Sequence, residues 1–170
     1  MKHYKPVTPG RRGMTVVSYK EKLTTLKSEP FKRLTKGKHS TGGRNSHGRT
    51  TNLYRGGGEK RVYREIDFTF EKKNMEARID TIEYDPFRSA FIALACYADG
   101  TRRYIVATKT MKQGDTFVVS EDARVKMGNR LPLRKIPIGT FVYNVELKPG
   151  AGARIARSAG NYAEVVAQDA

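Results

Sequence analysis

Between residues 60 and 120 the chain alternates short hydrophobic runs with turn signals. In the first run, residues 62–70, polar positions separate the members of one hydrophobic face, which consists of Val62, Ile66, Phe68 and Phe70. This period of two predicts a half-buried β-strand. Turn signals such as Asp85-Pro86 and Asp99-Gly100 separate four further predicted strands, at residues 77–84, 90–97, 102–107 and 116–120.

Five short strands with frequent turns predict an all-β unit, and the leading candidate is a small five-stranded barrel of the oligonucleotide-binding (OB) type. After an extended connector at residues 131–138, which contains Pro132 and Pro137, strands are predicted at residues 140–147 and 162–167. Two or three strands do not close a barrel, so we expect this second unit to be incomplete.

The N-terminal third of the chain shows neither hydrophobic period. Pro6 and Pro9 block regular structure, which predicts an extended arm, and residues 20–34 have room for a short helix or turn whose length Pro30 limits. Residues 36–64 hold seven glycines and eight Lys or Arg residues against one carboxylate, Glu59, and have too little apolar content to fold alone. The predicted organisation is a basic extension (1–59), a barrel (60–126) and an incomplete unit (127–170).

The positive charge is concentrated at one end of the chain. Residues 1–65 contain 17 Lys or Arg and four acidic residues and so contribute +13 of the formal net charge of +16. A basic arm on a nearly neutral globular part is typical of proteins that bind nucleic acid or anionic membranes. No run has the length of a membrane span or a signal-peptide core, so we expect an intracellular chain without a membrane partner.

Glycines and cations alternate in the basic stretch, in Gly42-Gly43-Arg44, His47-Gly48-Arg49 and Arg55-Gly56-Gly57-Gly58. Glycine lets a backbone approach a surface closely, and the guanidinium fork matches phosphate oxygens. Stacking side chains are interleaved with these cations, as is usual where RNA loops are bound, at Tyr4, Tyr19, Tyr54 and Tyr63. The pattern indicates a phosphate backbone as the ligand.

The sequence lacks the groups of residues that catalysis, metal binding or nucleotide binding would require. The three histidines, His3, His39 and His47, lie in the basic arm, and the lone Cys96, expected to be buried, has no histidine near it in sequence. No zinc spacing and no phosphate-loop frame occurs, so we expect no metal, no cofactor, no small-molecule substrate and no enzyme activity. The strand acids are expected on a solvated face: Asp67, Glu71, Glu76, Asp80 and Glu83. A free single-strand RNA binder and an acyl transferase are the rival interpretations.

The ordered motifs GGRN, HGR, RGGG, EYDP, ADG, RRYI, LPL, VELKPG and ARSAG resemble the universal large-subunit ribosomal protein L-two family of bacterial type. The resemblance extends from about Lys5 to Val166. It implies an OB-type barrel, then an SH3-like barrel, and a basic extension threaded into RNA. It also implies primary binding of 23S-type rRNA, support of the peptidyl-transferase region, tRNA binding and subunit association, with neighbouring ribosomal proteins as partners in the cytoplasmic ribosome.

Carried onto matching positions, the resemblance implies two groups of rRNA contacts. The first contains Gly42, Gly43, Arg44, Asn45, Gly48, Arg49, Arg55, Gly56, Gly57, Gly58, Lys60, Arg61 and Arg64. The second contains Lys148, Gly150, Arg154, Arg157, Ser158 and Gly160. The charge pattern adds Arg11, Arg12, Lys36, Lys38 and His47.

The sequence departs from the family in two respects. Glu59 stands where the family usually has His, and since a carboxylate facing phosphate is costly, we expect it to turn away or to pair with Lys60 or Arg61. The family also continues past the position of Ala170 into a Gly- and His-rich extension. We expect no residue of this sequence to perform the functions of that extension.

Overall fold

The computed structural model describes residues 1–24 and 29–168, and regular structure in this part of the chain is almost entirely β, which confirms the all-β prediction. The described elements are short: β1 (Lys2–His3), β2 (Thr15–Val16), α1 (Tyr19–Lys22), β3 (Thr35–Gly37), β4 (Val62–Arg64), β5 (Glu76–Glu83), β6 (Ile92–Tyr97), β7 (Arg102–Val106), β8 (Thr116–Val118), β9 (Phe141–Val142) and β10 (Ala163–Glu164). Three single 3-10 turns lie at Pro9–Arg11, Lys32–Leu34 and Leu133–Lys135. Within the described ranges, α1 and these turns are all far too short to cross a membrane.

The centre of the molecule is an antiparallel four-stranded sheet with the strand order β7-β6-β5-β8. Strand β6 is buried on both faces. Ala93 and Ala95 belong to one apolar cluster, whereas Ile92 and Leu94 belong to a second cluster on the opposite face. The continuous apolar run of β6 thus reflects a central strand that is covered from both sides.

The bounds of the four sheet strands agree with the predicted runs to within about two residues, but the first predicted strand is wrong beyond Arg64. β4 ends there because Asp67 turns the chain: its Oδ1 accepts hydrogen bonds from the backbone N–H groups of Thr69 (3.0 Å) and Phe70 (2.8 Å). Ile66 keeps only a single parallel bridge to Tyr104. The described strands therefore form an open four-stranded sheet and three two-stranded sheets, with no closed barrel among them.

Residues 19–24 and 31–34 of the N-terminal extension pack on the sheet instead of belonging to a free arm. β1 pairs with β2, and Tyr19 of α1 lies against Tyr84 and Phe91, with ring centroids 5.7 and 5.5 Å away. Thr24 exchanges hydrogen bonds with Ile82, from its N–H to the Ile82 carbonyl (3.1 Å) and from the Ile82 N–H to its Oγ1 (2.9 Å). The predicted helix or turn in residues 20–34 corresponds to α1 at the start of this range and to the 3-10 turn Lys32–Leu34 at its end. Residues 25–28 lie outside the described part of the chain.

This packing buries polar groups that the sequence pattern places in solvent. The Tyr104 hydroxyl donates to Glu83 Oε2 (3.0 Å) and accepts from the Phe31 N–H (2.8 Å). Glu83 is 3% exposed, so its predicted place on a solvated face is wrong. Burial is the main cause that raises the pKa of Tyr104 to about 12, and the Glu83 carboxylate adds to the rise. The cluster anchors residues 31–34 to β7.

The C-terminal residues form a small unit that packs against the sheet. β9 pairs with β10, and the predicted strand over 140–147 shortens to two residues before Asn144, whose φ is 53°. The Arg130 guanidinium lies 4.5 Å from the Phe70 ring centroid and pairs with Glu146 at 2.5 Å. Cys96 on β6 is half-buried, not fully buried as expected.

Candidate nucleic-acid interface

Residues 41–58, which we call the cationic loop, form a compact turn held by backbone hydrogen bonds. The Gly43 carbonyl accepts from the N–H groups of Thr51 (2.9 Å) and Asn52 (3.2 Å). Asn45 Oδ1 accepts from the N–H groups of His47 and Arg49, both at 3.0 Å. The loop thus has a defined conformation within the chain although it buries almost no apolar surface.

Gly43 is required by the packing of the loop itself. Its φ is +75°, and a Cβ built on it would lie 2.4 Å from the Asn52 carbonyl oxygen and 3.2 Å from the Cβ of Arg55. A side chain there would therefore clash with the opposite side of the turn and also strain the backbone. At this glycine the lack of room comes from the protein, not from a bound ligand.

The cations of the loop point into solvent. Arg44, Arg49 and Arg55 are exposed. Arg44 Nη1 donates to the Gly42 carbonyl at 2.6 Å, which holds one terminal nitrogen of the guanidinium in place. The predicted contacts Asn45, His47, Gly48, Gly56, Gly57, Gly58 and Lys60 are exposed in the same loop or directly after it. Glu59 is exposed as well, and no described cation pairs with it, so the predicted partner Lys60 or Arg61 is not engaged.

Four predicted contacts next to the loop have intramolecular partners. Lys36 forms an exposed ion pair with Glu65 (2.9 Å). Lys38 and Arg61 lie over the Phe87 ring, at 5.7 and 5.1 Å from its centroid. Arg64 is only 8% exposed and donates to the Val62 carbonyl (3.0 Å), because the strand pair and the extension cover it. The sequence did not predict this role of Phe87, because a single aromatic residue after Asp85-Pro86 does not indicate that cations lie over its ring.

The tyrosines of the basic region have different environments. Tyr63 packs edge-on against Phe87 (5.5 Å), and Tyr4 lies between Lys2 and Arg11. Tyr54 is completely exposed and has a φ of 57°. The strand aromatics Phe70 and Phe117 are 6% and 2% exposed, so the sheet itself presents neither for stacking, which disfavours a free single-strand binder of the cold-shock type.

The second predicted group lies in the loop that follows β9. Arg154 is exposed, whereas the Arg157 guanidinium sits 4.5 Å from the Phe68 ring centroid and donates to the Ala153 carbonyl (3.3 Å). The remaining members are exposed: Lys148, Gly150, Ser158 and Gly160. Arg11 and Arg12 are exposed in the N-terminal hairpin, so most of the predicted cations are accessible.

The described residues offer positive charge and aromatic rings to a ligand. All three histidines are exposed and belong to the extension. Within residues 1–24 and 29–168, no three His, Cys, Asp or Glu side chains come together as a metal site would require. The arrangement can bind a polyanion and can stack on planar groups, and it needs no bound cofactor to do either.

Two family models together match most of the chain. The model described as the RNA-binding N-terminal domain of ribosomal proteins L2 matches residues 31–120. The model described as the C-terminal domain of ribosomal proteins L2 matches residues 126–170.

Curated relatives match along the full length of the chain. It is 51% identical to the large ribosomal subunit protein uL2 of Granulibacter bethesdensis over 170 residues, which are 100% of this chain and 60% of the relative. The uL2 proteins of Rhodospirillum rubrum and Acidiphilium cryptum are 47% and 50% identical, over 100% and 99% of this chain and 60% of each relative. The chain thus spans about 60% of the length of these relatives. Their names are those of a ribosomal protein, in agreement with the prediction that the chain is not an enzyme.

Proposed function

The chain belongs to the L2 family of large-subunit ribosomal proteins, and from this premise we propose that it binds 23S-type rRNA as a structural constituent of the large subunit. The observation that carries the proposal is the cationic loop, whose hydrogen-bonded backbone leaves Arg44, Arg49 and Arg55 exposed. Phosphate contacts by such cations release condensed counterions, which supplies much of the affinity for nucleic acid.

The preformed conformation of the loop favours binding. The Gly43 carbonyl and Asn45 Oδ1 each accept two backbone hydrogen bonds within the loop, and we propose that these bonds order the backbone before a ligand arrives. A segment that is ordered in advance loses less conformational entropy on binding. The arginine forks then position the protein on phosphate oxygens, since guanidinium groups bind these oxygens in a bidentate manner.

The proposed contact surface is narrower than the set that the sequence predicts. Arg64 is left out because it is buried. Five cations are proposed as secondary contacts, since each pairs with a carboxylate or lies over an aromatic ring of the chain: Arg11, Lys36, Lys38, Arg61 and Arg157. Arg44 stays among the primary contacts because its partner is the Gly42 backbone carbonyl, which engages one guanidinium nitrogen. The primary contacts are the remaining predicted residues: Arg12, Gly42, Gly43, Arg44, Asn45, His47, Gly48, Arg49, Arg55, Gly56, Gly57, Gly58, Lys60, Lys148, Gly150, Arg154, Ser158 and Gly160.

We further propose the two-unit organisation, with an OB-type unit over residues 60–126 and the first part of an SH3-like unit over residues 127–170. In support, the bridge from Ile66 to Tyr104 brings a fifth segment beside β7 of the four-stranded sheet. The bounds of the two family models are also consistent with a division between residues 120 and 126.

At the level of the ribosome, we propose that the chain stabilises RNA near the peptidyl-transferase region and supports tRNA binding and subunit association. The proposed partners are large-subunit rRNA and neighbouring ribosomal proteins, with indirect effects on tRNA and the small subunit. The proposed location is the cytoplasmic ribosome. These statements rest on family membership.

The test is a triple variant, Arg44→Ala, Arg49→Ala and Arg55→Ala, expressed in cells and followed by sedimentation. We expect the variant to be absent from large-subunit particles while its circular dichroism spectrum is unchanged. A matched control removes three exposed cations elsewhere: Lys73→Ala, Lys112→Ala and Arg124→Ala. Normal co-sedimentation of the loop variant, or equal loss of the control, would contradict the proposal.

A further inference from the structure

We propose that Tyr54 is a stacking residue for an unpaired nucleobase of the bound RNA, an inference that rests on the function proposed above. Tyr54 is completely exposed, and its neighbour Leu53 is 70% exposed. Together they form a turn of the cationic loop between Asn52 and Arg55, so the aromatic residue directly precedes a cation in the chain.

The backbone at Tyr54 is held in a conformation that tyrosine rarely adopts. Its φ of 57° lies in the left-handed region, where a bulky side chain is uncommon and costs of order 1–3 kcal/mol. Both neighbours of the turn are packed against Gly43: the Asn52 N–H donates to its carbonyl, and a Cβ on Gly43 would lie 3.2 Å from the Cβ of Arg55. The surrounding loop therefore fixes the turn that projects Tyr54 outward.

No described aromatic ring or cation occupies the faces of the Tyr54 ring. By contrast, Tyr63 packs on Phe87 and lies under Lys38, and Tyr19 packs on Tyr84 and Phe91. Those rings are used within the protein. Both faces of the Tyr54 ring remain available for a planar ligand.

The charge of the residues around Tyr54 indicates which class of ligand can bind there. Residues 36–61 contain seven Lys or Arg residues and one acid, Glu59, and Arg49 and Arg55 are exposed in the same loop as the ring. A polyanion with planar groups matches both features, because each nucleotide brings a phosphate for a guanidinium and a base for the ring. Bases in an A-form duplex are already stacked on each other, so the ligand is an unpaired base.

The experiment uses the full chain and two RNA probes. The first is a single-stranded oligomer with one 2-aminopurine, and the second is the same oligomer annealed to its complement. We expect the wild type to quench 2-aminopurine in the single strand. Tyr54→Ala is expected to lose this quenching and to bind the single strand about 5- to 150-fold more weakly, the range that corresponds to one stacked base. Tyr54→Phe is expected to keep both properties, since the ring remains.

A second variant separates stacking from loop conformation. Tyr54→Gly removes the ring but relieves the positive φ, so its loop is expected to be at least as well ordered as in the wild type, with binding weakened as in Tyr54→Ala. Affinity of both variants for the duplex, and the salt dependence of binding, are expected to stay as in the wild type.

Three results would overturn the inference. The first is single-strand affinity and quenching that are unchanged in Tyr54→Ala and Tyr54→Gly. The second is a salt dependence that falls as it would for a lost arginine contact. The third is weaker association with large-subunit particles at unchanged RNA affinity, which would assign Tyr54 to a protein neighbour. A wild type that binds neither probe would instead refute the proposed function itself.

Discussion

The four-stranded sheet and the cationic loop are both well-defined structures, but they are held together by different interactions. In the sheet, Ile92, Ala93 and Ala95 are fully buried, and apolar side chains cover both faces of β6. In the loop, every residue from Arg44 to Gly58 is exposed, and hydrogen bonds to Gly43 and Asn45 define the conformation. Burial of apolar side chains stabilises the sheet. The loop buries almost no apolar surface, and its cations are accessible to solvent.

This contrast separates two observables. A substitution in the sheet changes the free energy of unfolding, because it alters apolar burial that amounts to about 25 cal/mol per Å². A substitution of an exposed loop cation changes RNA affinity with little effect on unfolding. The following predictions test this separation, and they run from the largest expected change in stability to the smallest.

Truncation of the sheet core should have the largest effect. Ile92 is 0% exposed and packs in the cluster with Leu94 and Tyr104. Ile92→Ala is expected to lower the free energy of unfolding by about 2–5 kcal/mol, through lost burial and the cavity that remains. Urea denaturation measures the change, and Val125→Ala, at a position that is 54% exposed, is the matched control with an expected change below about 0.5 kcal/mol. Equal changes in the two variants would contradict the assigned core.

Removal of one hydroxyl should loosen residues 31–34 on the sheet. Tyr104→Phe leaves the Phe31 N–H without its acceptor and removes the donor to Glu83 Oε2, although the Thr81 hydroxyl still donates to Glu83 Oε1, and this is expected to destabilise the protein by about 1–3 kcal/mol. The same substitution at Tyr162, which is 66% exposed, should have no measurable effect. Amide hydrogen exchange would show faster exchange at Phe31 in the Tyr104 variant, and unchanged protection there would refute the anchoring role.

Alkaline pH should destabilise the sheet. Burial is the largest cause that raises the pKa of both Tyr97 and Tyr104 to about 12, from an ordinary value of 10.0. A raised pKa in the folded state means that the contribution to stability is fully present below pH 10 and is lost as the pH rises toward 12. Urea midpoints measured from pH 8 to pH 12 are expected to show this loss, and the double variant Tyr97→Phe and Tyr104→Phe should show a flatter profile. An equally steep profile in that variant would assign the loss to other groups.

A change at Gly43 should have the smallest effect on global stability but a clear effect on binding. Gly43→Ala places a Cβ 2.4 Å from the Asn52 carbonyl oxygen, so the loop must rearrange while the sheet stays intact. We expect the urea midpoint to stay nearly unchanged and RNA affinity to fall. Gly48→Ala is the matched control, because Gly48 has a similar φ of +77° but open space around it. A weaker effect at Gly43 than at Gly48 would contradict the close packing in the loop.

The parts of this structure that could be predicted from sequence are those determined by local patterns. The apolar run of β6 and the turns around it predicted the sheet strands well, since burial follows directly from composition. The strand over residues 62–70 was wrong because the Asp67 side chain turns the backbone, and a period-two pattern does not report such a local hydrogen bond.

The candidate interface was predictable as a class of residues but not as a structure. The alternation of glycine and arginine predicted phosphate contacts in this stretch, and the structure places its three arginines, Arg44, Arg49 and Arg55, on the surface. Glu83 is buried where residues 31–34 pack over Tyr104, and Arg64 is buried on a strand that pairs with β3; no local pattern encodes either contact. The contact between Gly43 and Asn52 likewise joins residues on opposite sides of a turn that contains almost no apolar side chain.

The most direct test of the account is the salt dependence of RNA affinity, measured for the wild type and for the variant Arg44→Ala, Arg49→Ala and Arg55→Ala. If about ten cations contact phosphate, the logarithm of the binding constant should fall with the logarithm of salt concentration at a slope of about −7, which follows from the counterion-release coefficient of single-stranded nucleic acid. Loss of three contacts should reduce the slope to about −5. A wild-type slope near zero, or identical slopes for the two proteins, would contradict the claim that these exposed arginines bind the phosphate backbone.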